Sequence, residues 1–372
     1  MHVESLACFE CGKTYPKTEL RYKCDCGGSL EIIYKYDELK GKVNWTKLRK
    51  RKFNHWRYRE FFPIINDKYI VSLGEGGTPL VHSRKIGTCG NVYFKCEGVS
   101  QTGSFKDRGT TVELSKALEF GATEVVAAST GNMGASISAY AAAAGLKATI
   151  YVPVGSPHEK LDQMHSYGAN VVPVKHGGYV QAAQYAYRDF KKKGIYLLGD
   201  YAYRGEGEKS VAFEIGDEMA KVDYVICPIG NGTLISGMWK GFRELKMTGL
   251  IKKLPKMVGV QAAGCDTVVR AFNLGLEIKS VIPKTIAGAI AVGDPFDGDK
   301  AIAALKESDG LAATVTDKEI LVARREMARH EGIDCEPCGA VAWAGIKKLK
   351  LPANAIKIAI VTGHGLKDLE HL

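Results

Sequence analysis

No stretch of the 372-residue chain approaches the ~20 consecutive apolar residues of a membrane-spanning helix. The N-terminus lacks the apolar core of a signal peptide, so the expected location is the cytoplasm. Internal repeats and low-complexity tracts are also missing. Two nucleotide signatures are incomplete. Gly230-Asn231-Gly232 has no third glycine at dinucleotide-fingerprint spacing, and Gly207-Glu208-Lys209-Ser210 lacks the glycine that precedes a P-loop lysine. Both gaps count against a dehydrogenase or a kinase. There are ten cysteines, but they do not form a secreted disulfide framework, since four crowd into the first 26 residues and the rest are scattered.

The composition is that of a globular protein, 45% hydrophobic and 25% charged, and the length suffices for two α/β domains plus a small appendage. Net charge is +10, from 51 basic and 41 acidic residues, which favours an anionic substrate or nucleic acid without choosing between them. Part of the excess is local, in the run Lys47-Leu-Arg-Lys-Arg-Lys52.

Cys8-Phe-Glu-Cys11 and Cys24-Asp-Cys26 form two close pairs followed by Gly27 and Gly28. Such pairs on tight turns can give four thiolates to a tetrahedral zinc; a filled site of this kind is structural, with no open position for catalysis. Residues 1–35 are therefore expected to form a zinc-ribbon-like module. Residues 36–70 interleave Lys and Arg with Trp45, Trp56, Tyr58, Phe61 and Phe62. They read as a connecting arm whose aromatics pack and whose charges stay in solvent, rather than as a nucleic-acid surface.

From Val71 onward, apolar strands alternate with helical stretches. Predicted strands include 91–96, 124–128, 147–152, 170–174, 195–198, 223–227, 256–261 and 356–361. Predicted helices include 110–120, 135–144, 160–167, 180–191, 210–220 and one from about Leu234, with residues 200–209 as a loop. This period indicates parallel βαβ units. The expected fold is α/β, two open, twisted, mainly parallel sheets behind a small zinc ribbon. The expected division is a large domain, 71–120 with 206–372, and a small one, 121–205.

In open parallel sheets ligands bind at the carboxyl ends of strands. Three loops stand there. Ser129-Thr130-Gly131-Asn132-Met133-Gly134 leads from a strand into a helix and can take a carboxylate or phosphate. Gly230-Asn231-Gly232-Thr233-Leu234 does the same after another strand, and Thr362-Gly-His-Gly365 follows the last one. Lys106, in Gln101-Thr-Gly-Ser-Phe-Lys-Asp-Arg-Gly109, sits between a glycine turn and a helix. Lysine suits that place if it forms a Schiff base, helped by burial beside other cations. One reactive lysine, two anion cradles and no acidic metal cluster fit pyridoxal phosphate.

Over residues 73–368 the chain resembles the threonine synthases, within the fold-type II group of pyridoxal-phosphate enzymes. The resemblance rests on Gly-Glu-Gly-Gly-Thr-Pro (74–79), Ser-Phe-Lys-Asp-Arg-Gly (104–109), Ser-Thr-Gly-Asn (129–132) and Pro-Ile-Gly-Asn (228–231). Gln-Ala-Ala-Gly (261–264), Glu-Pro (336–337) and Thr-Gly-His-Gly-Leu-Lys-Asp (362–368) complete it, and the N-terminal ribbon is similar to that of many archaeal and bacterial members. The resemblance implies that Lys106 holds the cofactor with Phe105 packing at its ring. It implies that Asn132 meets the phenolic oxygen, that Gly230 to Leu234 cradle the phosphate and that Thr362 faces the pyridine nitrogen. Ser129, Thr130, Gly131, Asn132 and Met133 would line the substrate carboxylate, while Arg204 and Lys209 would approach a substrate phosphate. The implied reaction converts O-phosphohomoserine and water into threonine and phosphate, in a homodimer.

The sequence departs from the family at several points. Met133 stands where a threonine is usual, Leu198-Gly199 where Asn-Ser is frequent, and Glu-Pro-Cys-Gly (336–339) where Glu-Pro-Ala-Ser is expected. Gly-Asn-Gly-Thr-Leu (230–234) likewise replaces Gly-Asn-Ala-Gly-Asn. Two enzymatic alternatives therefore stay open: a serine/threonine lyase, and β-replacement on phosphoserine of the cysteate synthase kind. The non-enzymatic alternative is a zinc-ribbon nucleic-acid binder using Lys47–Lys52. His364 reads as a loop residue, and Cys335 and Cys338 as packing beside the cofactor.

Overall fold

The computed structural model describes residues 2–86 and 90–371. The chain divides into two units. One comprises Met1–Tyr34, Arg59–Glu75 and Lys106–Gly207; the other comprises Lys35–Tyr58, Gly76–Phe105 and Glu208–Leu372.

The first unit contains two sheets. Val3–Cys8 pairs antiparallel with both Thr14–Pro16 and Leu30–Tyr34, making the small N-terminal sheet. The second sheet is parallel throughout, in the order Asn170–Val174, Lys147–Pro153, Glu124–Ala128, Tyr196–Leu197. Its central strands carry unbroken apolar runs because helices cover both faces. Val125, Ala127, Ile150 and Val152 are buried with Ile137 and Tyr140 of the helix Asn132–Ala144. On the other side Val126, Ala128 and Leu197 pack with Ala182 and Ala186 of the helix Gly178–Lys193. Tyr22 anchors the ribbon here: its ring meets Phe190 and Tyr201 edge-on at 4.9 Å, and its hydroxyl accepts the Leu197 N–H at 3.0 Å.

The second unit is built on a six-stranded sheet in the order Leu311–Val315, Lys256–Ala262, Tyr224–Pro228, Lys357–Val361, Val92–Cys96, Leu80–His82. All neighbours are parallel except the short edge strand Leu80–His82. Every residue of Lys357–Val361 is buried. The helix Pro337–Lys348 covers the sheet, its Trp343 indole packing edge-on against Phe94 at 6.0 Å.

The alternation read from the sequence is present, with shifted ends. The helix expected from Thr110 begins at Lys106 itself. The expected loop 200–209 is wrong, because Ala202–Glu208 is helical despite Gly205 and Gly207. Gly207 serves close packing rather than a turn. A Cβ on Gly207 would strike the Arg108 carbonyl, and one on Gly109 would stand 2.7 Å from Arg204 Cγ. Periodicity assigns nothing between Gln261 and Ile356. The structure places there the helices Thr267–Leu274, Gly298–Glu307, Asp317–Glu326 and Pro337–Lys348, and the edge strand Leu311–Val315.

In the expected arm, Tyr58 is buried, and Arg49 and Arg57 both pair with Asp217, at 2.6 and 2.8 Å. Trp45 donates its indole N–H to the Leu250 carbonyl at 2.9 Å.

Candidate active site

Lys106 opens a helix that is buried for most of its length, Asp107 to Ala117. Inside the first unit its ammonium nitrogen lies 3.6 Å from Asp200 Oδ1. Cationic company is the expectation for a Schiff-base lysine, whereas Asp200 is an anion. Arg204 donates to Glu113 at 2.5 Å and to the Gly199 carbonyl at 3.1 Å. The same Glu113 accepts the Gly199 N–H at 2.8 Å. Burial pushes the Glu113 carboxyl up to about 7, against the pull of Arg204. Neither Asp200 nor Glu113 was among the residues singled out from the sequence. Asp200 was hidden in a stretch read as a loop, and Glu113 shows only as a charge in an otherwise buried helix.

Also in the first unit, the strand Glu124–Ala128 delivers Ser129 to Met133 to the start of the helix Asn132–Ala144. Ser129 Oγ accepts the Gly134 N–H at 2.9 Å and so helps to fix the turn. Gly131 has open space where a side chain would project. Asn132 is buried, and Met133 is packed into the apolar core with Val71 and Ile137. Asp107 accepts from Ser136 at 2.6 Å, which ties the Lys106 helix to this one.

In the second unit, Tyr224–Pro228 delivers the loop Gly230 to Leu234 to the helix Thr233–Met247. Gly232 has φ +95°, and a Cβ there would meet the Asp297 carbonyl oxygen at 2.5 Å. Only glycine accepts that backbone without strain. Asn231 Oδ1 accepts the Phe296 N–H at 2.6 Å, and Thr233 donates to Asp297 at 2.7 Å. The loop is thus clamped by 296–297, a contact without a sequence signature. Thr362 ends the strand Lys357–Val361. Its Oγ1 and the Ser104 Oγ are buried and have no hydrogen-bond partner among the described residues. Two buried hydroxyls left so are costly unless a ligand meets them. This is the fit expected for a group with a ring nitrogen and polar substituents. Phe105 reaches the same strand end, donating its N–H to the Thr362 carbonyl at 3.0 Å.

Lys209 is fully buried in this unit and pairs with Glu244 at 2.9 Å. Arg204 and Lys209 therefore each have a carboxylate partner. His364 Nδ1 accepts the Leu366 N–H at 3.1 Å, closing its own turn. Cys335 and Cys338 are buried, and burial pushes the Cys335 thiol up.

The four early cysteines come together. The Sγ atoms of Cys8, Cys11, Cys24 and Cys26 all lie within 4.8 Å of one another. Individual separations are 3.6 Å for Cys8–Cys26 and 3.5 Å for Cys11–Cys24. A tetrahedron with Zn–S bonds of ~2.3 Å has edges of ~3.8 Å, so the donor set fits zinc. The Tyr15 hydroxyl, 3.0 Å from Cys24 Sγ, heads the hydrogen bonds that bring this thiol down to about 6.

With this geometry in place, the comparisons with known proteins are direct. The family described as pyridoxal-phosphate dependent enzymes matches residues 71–363. A threonine synthase of Methanocaldococcus jannaschii is 45% identical, over 97% of this chain and 92% of that protein. One from Methanosarcina acetivorans is 39% identical, over 98% of this chain and 92% of its own length. Among solved structures, maize serine racemase superposes with TM-score 0.69 at 24% identity, covering 78% of this chain and 89% of that one. A processed threonine deaminase from Solanum lycopersicum gives 0.67 at 24% identity, covering 77% and 79%. These two likenesses show the fold alone; the family match and the sequence relatives go further. This chain belongs to the pyridoxal-phosphate dependent enzymes, in the threonine synthase family.

Proposed function

We propose that the protein is a threonine synthase, converting O-phosphohomoserine and water into threonine and inorganic phosphate. The observation that carries this reading is the 45% identity to the Methanocaldococcus jannaschii protein of that name, nearly end to end. The residues at the site support it. Lys106 would hold the cofactor covalently. Pyridoxal phosphate, when bound, supplies the electron sink that makes a substrate Cα proton removable.

The chain's own groups do the rest. The amides of Gly230 to Leu234 would cradle the cofactor phosphate, and Thr362 would offer its hydroxyl to the ring nitrogen. A neutral hydroxyl does not hold a proton on that nitrogen, unlike a carboxylate, and so limits the sink. Asn132 would orient the phenolic oxygen, and Phe105 would pack at the ring. Ser129, Thr130, Gly131 and Met133, at a helix start, hold the substrate carboxylate through backbone amides and hydroxyls. With the cofactor bound, the free Lys106 amine would take the Cα proton, then move a proton from Cβ, and would return protons to Cγ and Cα. Phosphate would leave from Cγ, which ends as a methyl group after taking up a proton, and water would add its oxygen at Cβ and give up a proton.

Arg204 and Lys209 enter as the cations for the departing phosphate, on one condition. Each must exchange its carboxylate, Glu113 or Glu244, for the phosphate. A proton on Glu113 would release Arg204 for that exchange. The reading further includes a structural zinc on Cys8, Cys11, Cys24 and Cys26, and a cytoplasmic homodimer, as the family resemblance implies.

Met133 favours a second reading. Its buried thioether brings no hydroxyl to a phosphate, which suits a serine/threonine lyase or a β-replacement enzyme. One assay separates them. The purified protein is given O-phosphohomoserine, phosphoserine, serine and threonine in parallel, and threonine and phosphate are measured. Threonine formed from phosphohomoserine is the expected result; turnover of another substrate alone would overturn the proposal.

A further inference from the structure

Asp200 is the ionic partner of Lys106, and the family motifs assign it no part. Its Oδ1 stands 3.6 Å from Lys106 Nζ, with the lysine side chain 17% and the aspartate 19% exposed. Oδ1 is buried and makes no hydrogen bond among the described residues. Among the described residues a second cation, Arg204, lies 4.0 Å away and has Glu113 at 2.5 Å. Glu113, Tyr179 and Tyr201 also face the Asp200 charge. Asp200 thus stands between two cations, with Lys106 the nearer.

We propose that Asp200 is a positioning residue for Lys106: its carboxylate holds the lysine as an ammonium in the cofactor-free protein, and again once the released amine has taken up the substrate proton. The inference rests on the reading of Lys106 as the cofactor-holding residue. A lysine side chain has four rotatable carbons and ~2 kcal/mol of rotamer entropy, so an untethered amine would wander from the reacting carbons. A carboxylate in a partly dry place restrains it by Coulomb attraction. At 3.6 Å the pair is longer than a hydrogen bond, so the amine is held near without being locked. The same attraction keeps the proton taken from the substrate close to the reacting carbons until it is returned.

The test compares the full-length protein with Asp200→Asn, which keeps the shape and removes the charge, and with Asp200→Glu, which restores the charge. Each is stripped of cofactor, treated with acetic anhydride at neutral pH, and the peptide holding Lys106 is followed by mass spectrometry. An opposite charge within 4–6 Å changes a proton equilibrium by about tenfold or more. The Lys106 peptide of Asp200→Asn should therefore acetylate about tenfold faster, Asp200→Glu should stay near the parent rate, and other lysine peptides should not change. In the cofactor-loaded proteins, Asp200→Asn should lower kcat while KM stays within about twofold. Equal acetylation of Lys106 in parent and Asp200→Asn overturns the proposal. So does equal acceleration at all lysines, which would report a loosened fold. If the parent takes up no cofactor at Lys106, the failure lies in the underlying reading, and the absorbance of the loaded parent shows this separately.

Discussion

Phe105 donates its backbone N–H to the Thr362 carbonyl at 3.0 Å, within the second unit. Ser104 and Gly363 form an antiparallel bridge beside it, and His364 donates to the Gly103 carbonyl at 2.9 Å. The segment that leads into Lys106 is thus sewn to the end of the last core strand. The residue expected to pack at the cofactor ring and the one expected to meet its nitrogen share one backbone hydrogen bond.

Thr362→Val tests the second of these. Valine keeps the branched shape and removes the hydroxyl. One hydrogen bond is worth about 1 kcal/mol, so cofactor affinity should fall about fivefold with the fold intact. An absorbance titration measures it, and unchanged affinity would remove Thr362 from the site.

Lys106→Ala removes the covalent attachment. The parent should show a yellow band at about 410–420 nm, and the variant should lack it and lose turnover. A colourless parent would refute the cofactor assignment.

Gly232→Ala places a methyl group 2.5 Å from the Asp297 oxygen at a positive φ. Strain of about 1–3 kcal/mol is expected, with a lower melting temperature and weaker cofactor binding. A variant that melts and binds like the parent would show that the loop has another conformation.

Glu331 accepts N–H groups from Arg84, Lys85 and Ile86 and the Ser83 hydroxyl. Burial opposes its charge, but these donors outweigh it and hold the carboxyl below its ordinary value of 4.5. The folded chain therefore binds this proton less readily than the unfolded chain. Its contribution to stability is full above about pH 4.5 and is lost as pH falls through the folded value. Glu331→Gln should melt earlier than the parent at pH 7, and the gap should narrow towards pH 3. A gap independent of pH would contradict this.

Elemental analysis should find one zinc per chain. Cys11→Ser or a strong chelator should lower that content and loosen the ribbon, seen as faster proteolysis before residue 35. Full zinc content in Cys11→Ser would exclude the four-cysteine site.

The βαβ order was legible because buried parallel strands such as Glu124–Ala128 and Lys357–Val361 write their burial as apolar runs. Leu311–Val315 was not: it is an edge strand with a partly exposed, alanine-rich sequence. The helix Ala202–Glu208 was hidden because its glycines look like turn formers until Arg108 is seen packed against Gly207.

By itself the sequence determined the fold class, the four-cysteine cluster, the family and the position of Lys106. Each of these is encoded locally, as a run, a spacing or a motif. The tertiary structure alone decided that Lys106 faces Asp200 and that Arg204 and Lys209 already carry carboxylates. It also decided that Thr362 keeps a buried hydroxyl without a partner among the described residues. Charge pairing between residues 35 to 94 positions apart depends on how helices pack, and no local pattern in the sequence carries it.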